Sequence, residues 1–263
     1  MPPAELLGQP GWAWAAAGAV LGLVAGSFVA AILIRWPKGE SVLRGRSRCD
    51  LCGTTLGPLE LVPVFSWLAL RGRCRHCGGR IDARHAGVEA TAAIVGFAAF
   101  HVFAPAAALV AAVFGWWLLL LAALDLEHQW LPDRLTLPLI PAGLAAAWLG
   151  LGPPLAERLI GGAAGFALLA GIAIAYRRLR GREGLGGGDP KLLAALGAWL
   201  GWQQLPFVLL GAGLLGITAI LLIQLRGRRL AATDRLPLGT LMALVAWPIW
   251  LLASGHEAVT LAS

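Results

Sequence analysis

Apolar residues in this chain run in long blocks, broken by short polar interruptions that are rich in Arg. The blocks fall at about 12–34, 86–104, 106–124, 134–151, 158–176, 189–203, 204–225 and 236–253. A helix crossing a bilayer needs roughly 20 mostly apolar residues, with about 17 as the lower limit. The pattern therefore predicts an all-α integral membrane protein of about eight transmembrane helices, with the division near Gln203–Pro206 separating two of them. Trp12, Trp14, Trp36, Trp130, Trp148 and Trp202 stand near the predicted ends, where an interfacial belt would place them. Gly and Ala fill the apolar blocks, which suits close helix packing in lipid.

Composition agrees with this reading. Of 263 residues, 58% are hydrophobic and 13% charged, against about 25% charged in a soluble domain. The first block is too long for a cleavable signal and lacks a basic segment before it, so it reads as a retained helix. The net charge of +7 could suggest a nucleic-acid partner, but its distribution points elsewhere. Ten Lys/Arg lie between Arg35 and Arg84, Arg134 stands alone, five lie between Arg177 and Lys191, and four between Arg226 and Arg235. With eight spans, 20 of the 21 basic residues face one compartment and only Arg158 faces the other. The positive-inside rule makes that compartment the cytoplasm. The basic charge is then a topology signal and a contact with bilayer lipid head groups, and no nucleic acid is expected. The chain divides into a first helix (1–35), a cytoplasmic segment (36–85) and a multi-span region (86–255).

The cytoplasmic segment holds all four cysteines. Cys49 and Cys52 form one Cys-x-x-Cys, Cys74 and Cys77 another, with 21 residues between the pairs. Each pair offers two thiolates from one turn, and two turns complete a tetrahedron, so the quartet reads as a structural zinc site. The competing reading is two disulfides, which a reducing cytoplasm disfavours. Four sulfur ligands leave no open position, so the metal would organise the loop and take no part in catalysis. A segment of this size has little core of its own, and a metal compensates for that.

Two carboxylates stand out at membrane depth. Asp125 ends the third block, and Asp189 opens the sixth, in Gly184-Leu185-Gly186-Gly187-Gly188-Asp189-Pro190-Lys191. A carboxylate there costs on the order of 2.5–3.5 kcal/mol to insert, so a functional role is the default reading. A helix start alone could explain Asp189, but not the glycines. Gly186, Gly187 and Gly188 let backbone approach closely and allow positive φ, as an extended substrate beside the carboxylate would need. Two close carboxylates in a low-dielectric site share a proton. The ionised member can take a proton from water while the protonated one polarises a scissile carbonyl, the logic of an aspartic peptidase. Lys191 is near enough to tune one of them. Asp133 competes with Asp125, though it can also be read as an N-cap with Arg134 beside it. Glu89 is expected to pair with Arg84 or Arg80.

These islands together resemble the type IV prepilin peptidases, bacterial enzymes of the GxGD aspartic class. The resemblance rests on Gly26-Ser27-Phe28 before Arg35-Trp36-Pro37, the cysteine quartet enclosing Glu60 to Leu68, Arg84-His85, Glu89, the segment Asp125 to Leu139, and Gly186 to Gly201. It implies Asp125 and Asp189 as the catalytic pair and Asp133 as a further motif residue. It also implies cleavage of type IV prepilin or pseudopilin leaders after a Gly at the cytoplasmic face of the inner membrane. Many such enzymes then methylate the new N-terminus with S-adenosylmethionine, and the cysteine-rich segment belongs to the part associated with that step. The chain departs from the family at Ala30, where Asn is usual, and at His85, where Tyr is more common. A proton- or cation-coupled transporter using the two aspartates is the alternative from another class; it lacks repeats or paired broken helices and leaves the cysteines unexplained.

Overall fold

The computed structural model describes residues 11–42, 47–49, 51–227 and 236–260, the last six of these by backbone alone. Of the basic residues counted above, Arg44, Arg46, Arg228, Arg229 and Arg235 lie outside the described residues. The described chain is helical, with only isolated bridges in place of strands. Eight helices stand where the apolar blocks predict them: α1 (Gly11–Arg35), α3 (Ala83–Val102), α4 (Pro105–His128), α5 (Asp133–Trp148), α6 (Leu155–Arg180), α7 (Asp189–Leu200), α8 (Leu205–Leu225) and α9 (Leu238–Thr260). A five-residue helix, α2 (Phe65–Ala69), lies in the cysteine-bearing segment.

Length separates these helices. Five of them, α1, α3, α4, α6 and α8, are long and apolar enough to cross a membrane. At 1.5 Å per residue, the 16 residues of α5 rise about 24 Å and the 12 of α7 about 18 Å, short of a hydrocarbon core about 30 Å thick. α9 is apolar through Ser254. The apolar character of α7 has another source: from Asp189 to Leu200 every residue except Lys191 is buried by the surrounding helices.

The chain forms two compact units, Met1–Trp116 and Trp117–Ser263. In the first, α1 packs along α3. Gly18, Gly22 and Gly26 recur every four residues on one face of α1. A Cβ at Gly22 would lie 2.2 Å from the Ala92 carbonyl oxygen, and one at Gly26 would lie 2.6 Å from the Glu89 Cα. Only glycine lets these backbones come so close, the small-residue packing expected in lipid. Trp116 closes the group by donating its indole N–H to the Ala92 carbonyl at 2.9 Å.

In the second unit α7 is the central element, touched by α5, α6, α8 and α9. Gly161 and Gly165 of α6 meet Gly197 and Leu193 of α7 by the same close approach. Trp199 of α7 donates to the Leu139 carbonyl at 2.9 Å and meets Trp250 edge-on. Arg158, the one basic residue that broke the charge pattern, is fully buried. It donates to the carbonyls of Gly143 (2.6 Å), Pro153 (2.7 Å), Ala198 (3.4 Å) and Leu151. Its charge therefore sits on carbonyl dipoles, including one from the last turn of α7, where a cation is favoured.

Candidate active site

Asp125 lies in the last turn of α4 and Asp189 is the first residue of α7; both are buried, at 6% and 7% exposure. Both belong to the second unit, and their carboxylates lie within electrostatic reach of each other. Asp125 is held from an element the sequence analysis did not implicate. Its Oδ2 accepts the Thr240 backbone N–H at 2.8 Å and the Thr240 hydroxyl at 3.3 Å. The same hydroxyl lies 2.8 Å from the Ala122 carbonyl, to which it can donate instead. The carboxylate thus rests on the first turn of α9, where unpaired N–H groups favour an acceptor. Gly239 makes room for it, since a Cβ there would lie 3.0 Å from Oδ2. Sequence carries little sign of this: Thr240 is 115 positions from Asp125, and its one cue is a helix start at Pro237-Leu238-Gly239-Thr240.

The glycines before Asp189 act through space and not through φ. None of Gly186, Gly187 and Gly188 has positive φ, contrary to the expectation above. Gly186 and Asp189 close a turn on each other: the Asp189 N–H donates to the Gly186 carbonyl at 3.2 Å, and the Gly186 N–H donates to Asp189 Oδ2 at 3.1 Å. A Cβ at Gly186 would press on that carboxylate oxygen at 3.1 Å, and one at Gly188 would strike Leu131 Cβ at 2.6 Å. At Gly187 nothing lies within 4 Å. Leu131 also lies against Gly239, so one side chain wedges between the supports of the two aspartates. We expect Gly187→Ala to keep full turnover. Gly188→Ala should cost about 1–3 kcal/mol of local strain and lower turnover. Melting temperature and kcat of the purified variants check both, and equal behaviour at the two positions would refute the assignment.

Asp133 and Lys191 pair with each other. Lys191 Nζ lies 2.6 and 2.8 Å from the two Asp133 oxygens, in a partly exposed bridge between the starts of α5 and α7. Asp133 is the first residue of α5, and Pro132 holds the N-cap position, so the capping role expected for Asp133 is replaced by this ion pair. Lys191 is committed to Asp133 and not to either buried aspartate. An exposed pair of this kind contributes only about 0–1 kcal/mol, which suits a brace that positions the Asp189 turn.

The four cysteines come together in the first unit, their Sγ atoms all within 4.8 Å of one another. They are free thiols, and the 4.0 Å between Cys49 and Cys77 is far beyond a disulfide bond. A tetrahedron with metal–sulfur bonds of about 2.3 Å has sulfur–sulfur edges of about 3.8 Å, so the donor set fits one metal ion. The segment also contains a repeat that sequence reasoning missed. Residues 48–49 and 53–55 make the same contacts as 73–74 and 78–80, 25 positions apart. The Gly53 N–H meets the Cys49 carbonyl and the Gly78 N–H the Cys74 carbonyl, each at 2.9 Å, with both glycines at positive φ. Bridges Arg48–Thr55 and Arg73–Arg80 close the two turns in the same register. Glu89 differs from expectation: it is buried and accepts the Val64 N–H at 2.7 Å, while Arg84 engages Asp82.

Comparison with known proteins identifies relatives of the chain. The type IV leader peptidase family model matches residues 112–221, and the bacterial peptidase A24 N-terminal domain matches residues 20–103. A prepilin leader peptidase/N-methyltransferase of Aeromonas salmonicida is 43% identical over 204 residues, 77% of this chain and 69% of the relative. The Burkholderia pseudomallei protein of the same name is 40% identical over 251 residues, covering 85% and 81%. The Pseudomonas aeruginosa one is 35% identical over 272 residues, covering 94% and 93%. No solved structure matches the chain significantly. With both family models in chain order and relatives matched over most of their length, the chain belongs to the type IV leader peptidase family.

Proposed function

We propose that this chain is a membrane-embedded aspartic endopeptidase that removes the leader of type IV prepilins or pseudopilins and then N-methylates the new end. The observation that carries the peptidase reading is the pair of buried carboxylates, Asp125 on the first turn of α9 and Asp189 in the glycine turn before α7. One proton shared between them leaves one carboxylate to activate water and one carboxylic acid to polarise the scissile carbonyl. Water adds to the carbonyl carbon as its proton passes to the ionised aspartate. Collapse of the tetrahedral intermediate then breaks the C–N bond, the amine leaving with a proton. The cut falls after a Gly at the cytoplasmic face of the inner membrane, the side to which the charge pattern assigns both aspartates. The relatives' names carry the methylation step. S-adenosylmethionine, when bound, supplies an electrophilic methyl group to the freed amine. The four cysteines would hold one zinc ion, with a purely structural role.

Mass spectrometry of a pilin-like substrate incubated with the enzyme and S-adenosylmethionine tests the whole reading. The expected product has lost its leader after Gly and gained 14 mass units at the new N-terminus, about the mass of one CH₂ group. An uncut substrate would overturn the peptidase; a cut but unmethylated one would overturn the second activity alone. Proton-coupled flux in liposomes without cleavage would instead favour the transporter.

A further inference from the structure

The first unit contains a cavity of about 460 Å³ between the end of α1, the cysteine-bearing segment and the start of α3. That volume lies within the range of small-molecule sites, about 300–1,000 Å³. Its walls carry both signs of charge together with aromatic faces: Glu60 and Glu89, Arg35 and Arg80, Phe28 and Trp67. Two of its carboxylate groups have unmet capacity. Glu89 is 6% exposed, spends Oε2 on the Val64 N–H, and has no ion-pair partner within 4 Å among the described residues. Glu60 Oε1 is buried without a well-aligned donor, the His76 imidazole lying 3.2 Å away. A buried carboxylate without a cation is costly, so a cationic ligand is the natural complement. The Glu89–Val64 bond also holds Val64 at a φ of 61°, a strained conformation for a β-branched residue, and strain of this kind clusters at ligand sites.

We propose that this cavity binds S-adenosylmethionine, with Glu89 supplying the negative charge that recognises the sulfonium, which rests on the methylation reading above. The ligand's groups match the wall: a sulfonium and an ammonium for the carboxylates, a carboxylate for the arginines, and an adenine for an aromatic face. The family departure at Ala30 does not reach the site. Ala30 is fully buried, whereas Ser27, Phe28 and Ala31 line the cavity.

The test is calorimetric titration of the full-length protein in detergent with S-adenosylmethionine and with S-adenosylhomocysteine, whose sulfur is neutral. Wild-type protein should prefer the sulfonium. Glu89→Gln keeps an acceptor for the Val64 N–H and removes the charge. It should weaken S-adenosylmethionine about tenfold or more while changing S-adenosylhomocysteine by about twofold or less. Wild-type binding that Glu89→Gln leaves unchanged overturns the site alone; wild-type protein that binds neither ligand overturns the methylation reading as well. Should the variant not fold, photolabelling of the wild type with an azido-adenosyl analogue decides: label within 27–89 supports the site, and label confined to the rest of the chain overturns it.

Discussion

Replacing either Asp125 or Asp189 with Asn is expected to lower leader cleavage by about 10²–10⁴-fold while the protein still inserts and folds. Asn has the shape of Asp and retains a carbonyl oxygen. At position 125 that oxygen can still accept the Thr240 N–H, and at position 189 it can still accept the Gly186 N–H. The supports of the dyad therefore survive the change, and what is lost is the ability to take or give a proton. Removing one member should strand the other, because the proposed mechanism gives each only half of the proton transfer. The double variant should thus be hardly worse than either single one, the non-additivity expected of groups acting as a unit. Asp133→Asn is the control from the same membrane region. It breaks only the partly exposed pair with Lys191 and should cost far less. A cleavage assay on the three variants, with melting temperatures, settles the matter; turnover within tenfold of wild type in Asp125→Asn or Asp189→Asn would overturn the dyad.

Much of this architecture was readable because a bilayer imposes a length on apolar blocks, and all eight blocks became helices. Hydropathy by itself does not separate a helix that meets lipid from one enclosed by protein. Residues 189–200 are apolar because neighbouring helices enclose them, and hydropathy cannot tell a protein neighbour from a lipid one. Arg158 shows the same ambiguity in charge. It appeared as an exception on the far side, yet its guanidinium is sealed among carbonyls and never meets the aqueous phase. The aspartates themselves were legible as ionisable groups at membrane depth. Their supports were not: Thr240 and Gly239 act on Asp125 across 115 residues, and a Thr or Gly in an apolar block carries no local signal of that role. Of the two properties expected of the glycines before Asp189, the structure shows close approach and no positive φ. Gly186 and Gly188 matter for absent Cβ atoms against the Asp189 carboxylate and Leu131, Gly187 faces open space, and none of the three has positive φ.

Loss of the cysteine-bound metal is expected to unfold residues 47–81 selectively. Among its described residues this segment has isolated bridges in place of a sheet, one α-helix of five residues, one 3-10 turn of four, and a single buried cysteine. Its apolar side chains do not form a core: Leu51, Leu59, Phe65 and Leu68 are all exposed, Leu59 at 79%. Burial therefore cannot hold the two turns against chain entropy. Structural zinc contributes about 10–16 kcal/mol in small peptides with comparable ligands at neutral pH, enough to dominate such a fold. Purified protein should carry about one zinc per chain, and Cys49→Ser or Cys74→Ser should each remove it, because one knuckle alone offers two ligands. Protease should then cut within 47–81 while the helices from α5 onward stay protected. Because Cys49 and Cys74 also line the cavity, binding of S-adenosylmethionine should disappear with the metal. Chelation of the wild type should reproduce all three effects and zinc should reverse them. A metal-free protein with intact, protease-resistant knuckles and oxidised cysteines would instead establish disulfides as the staple.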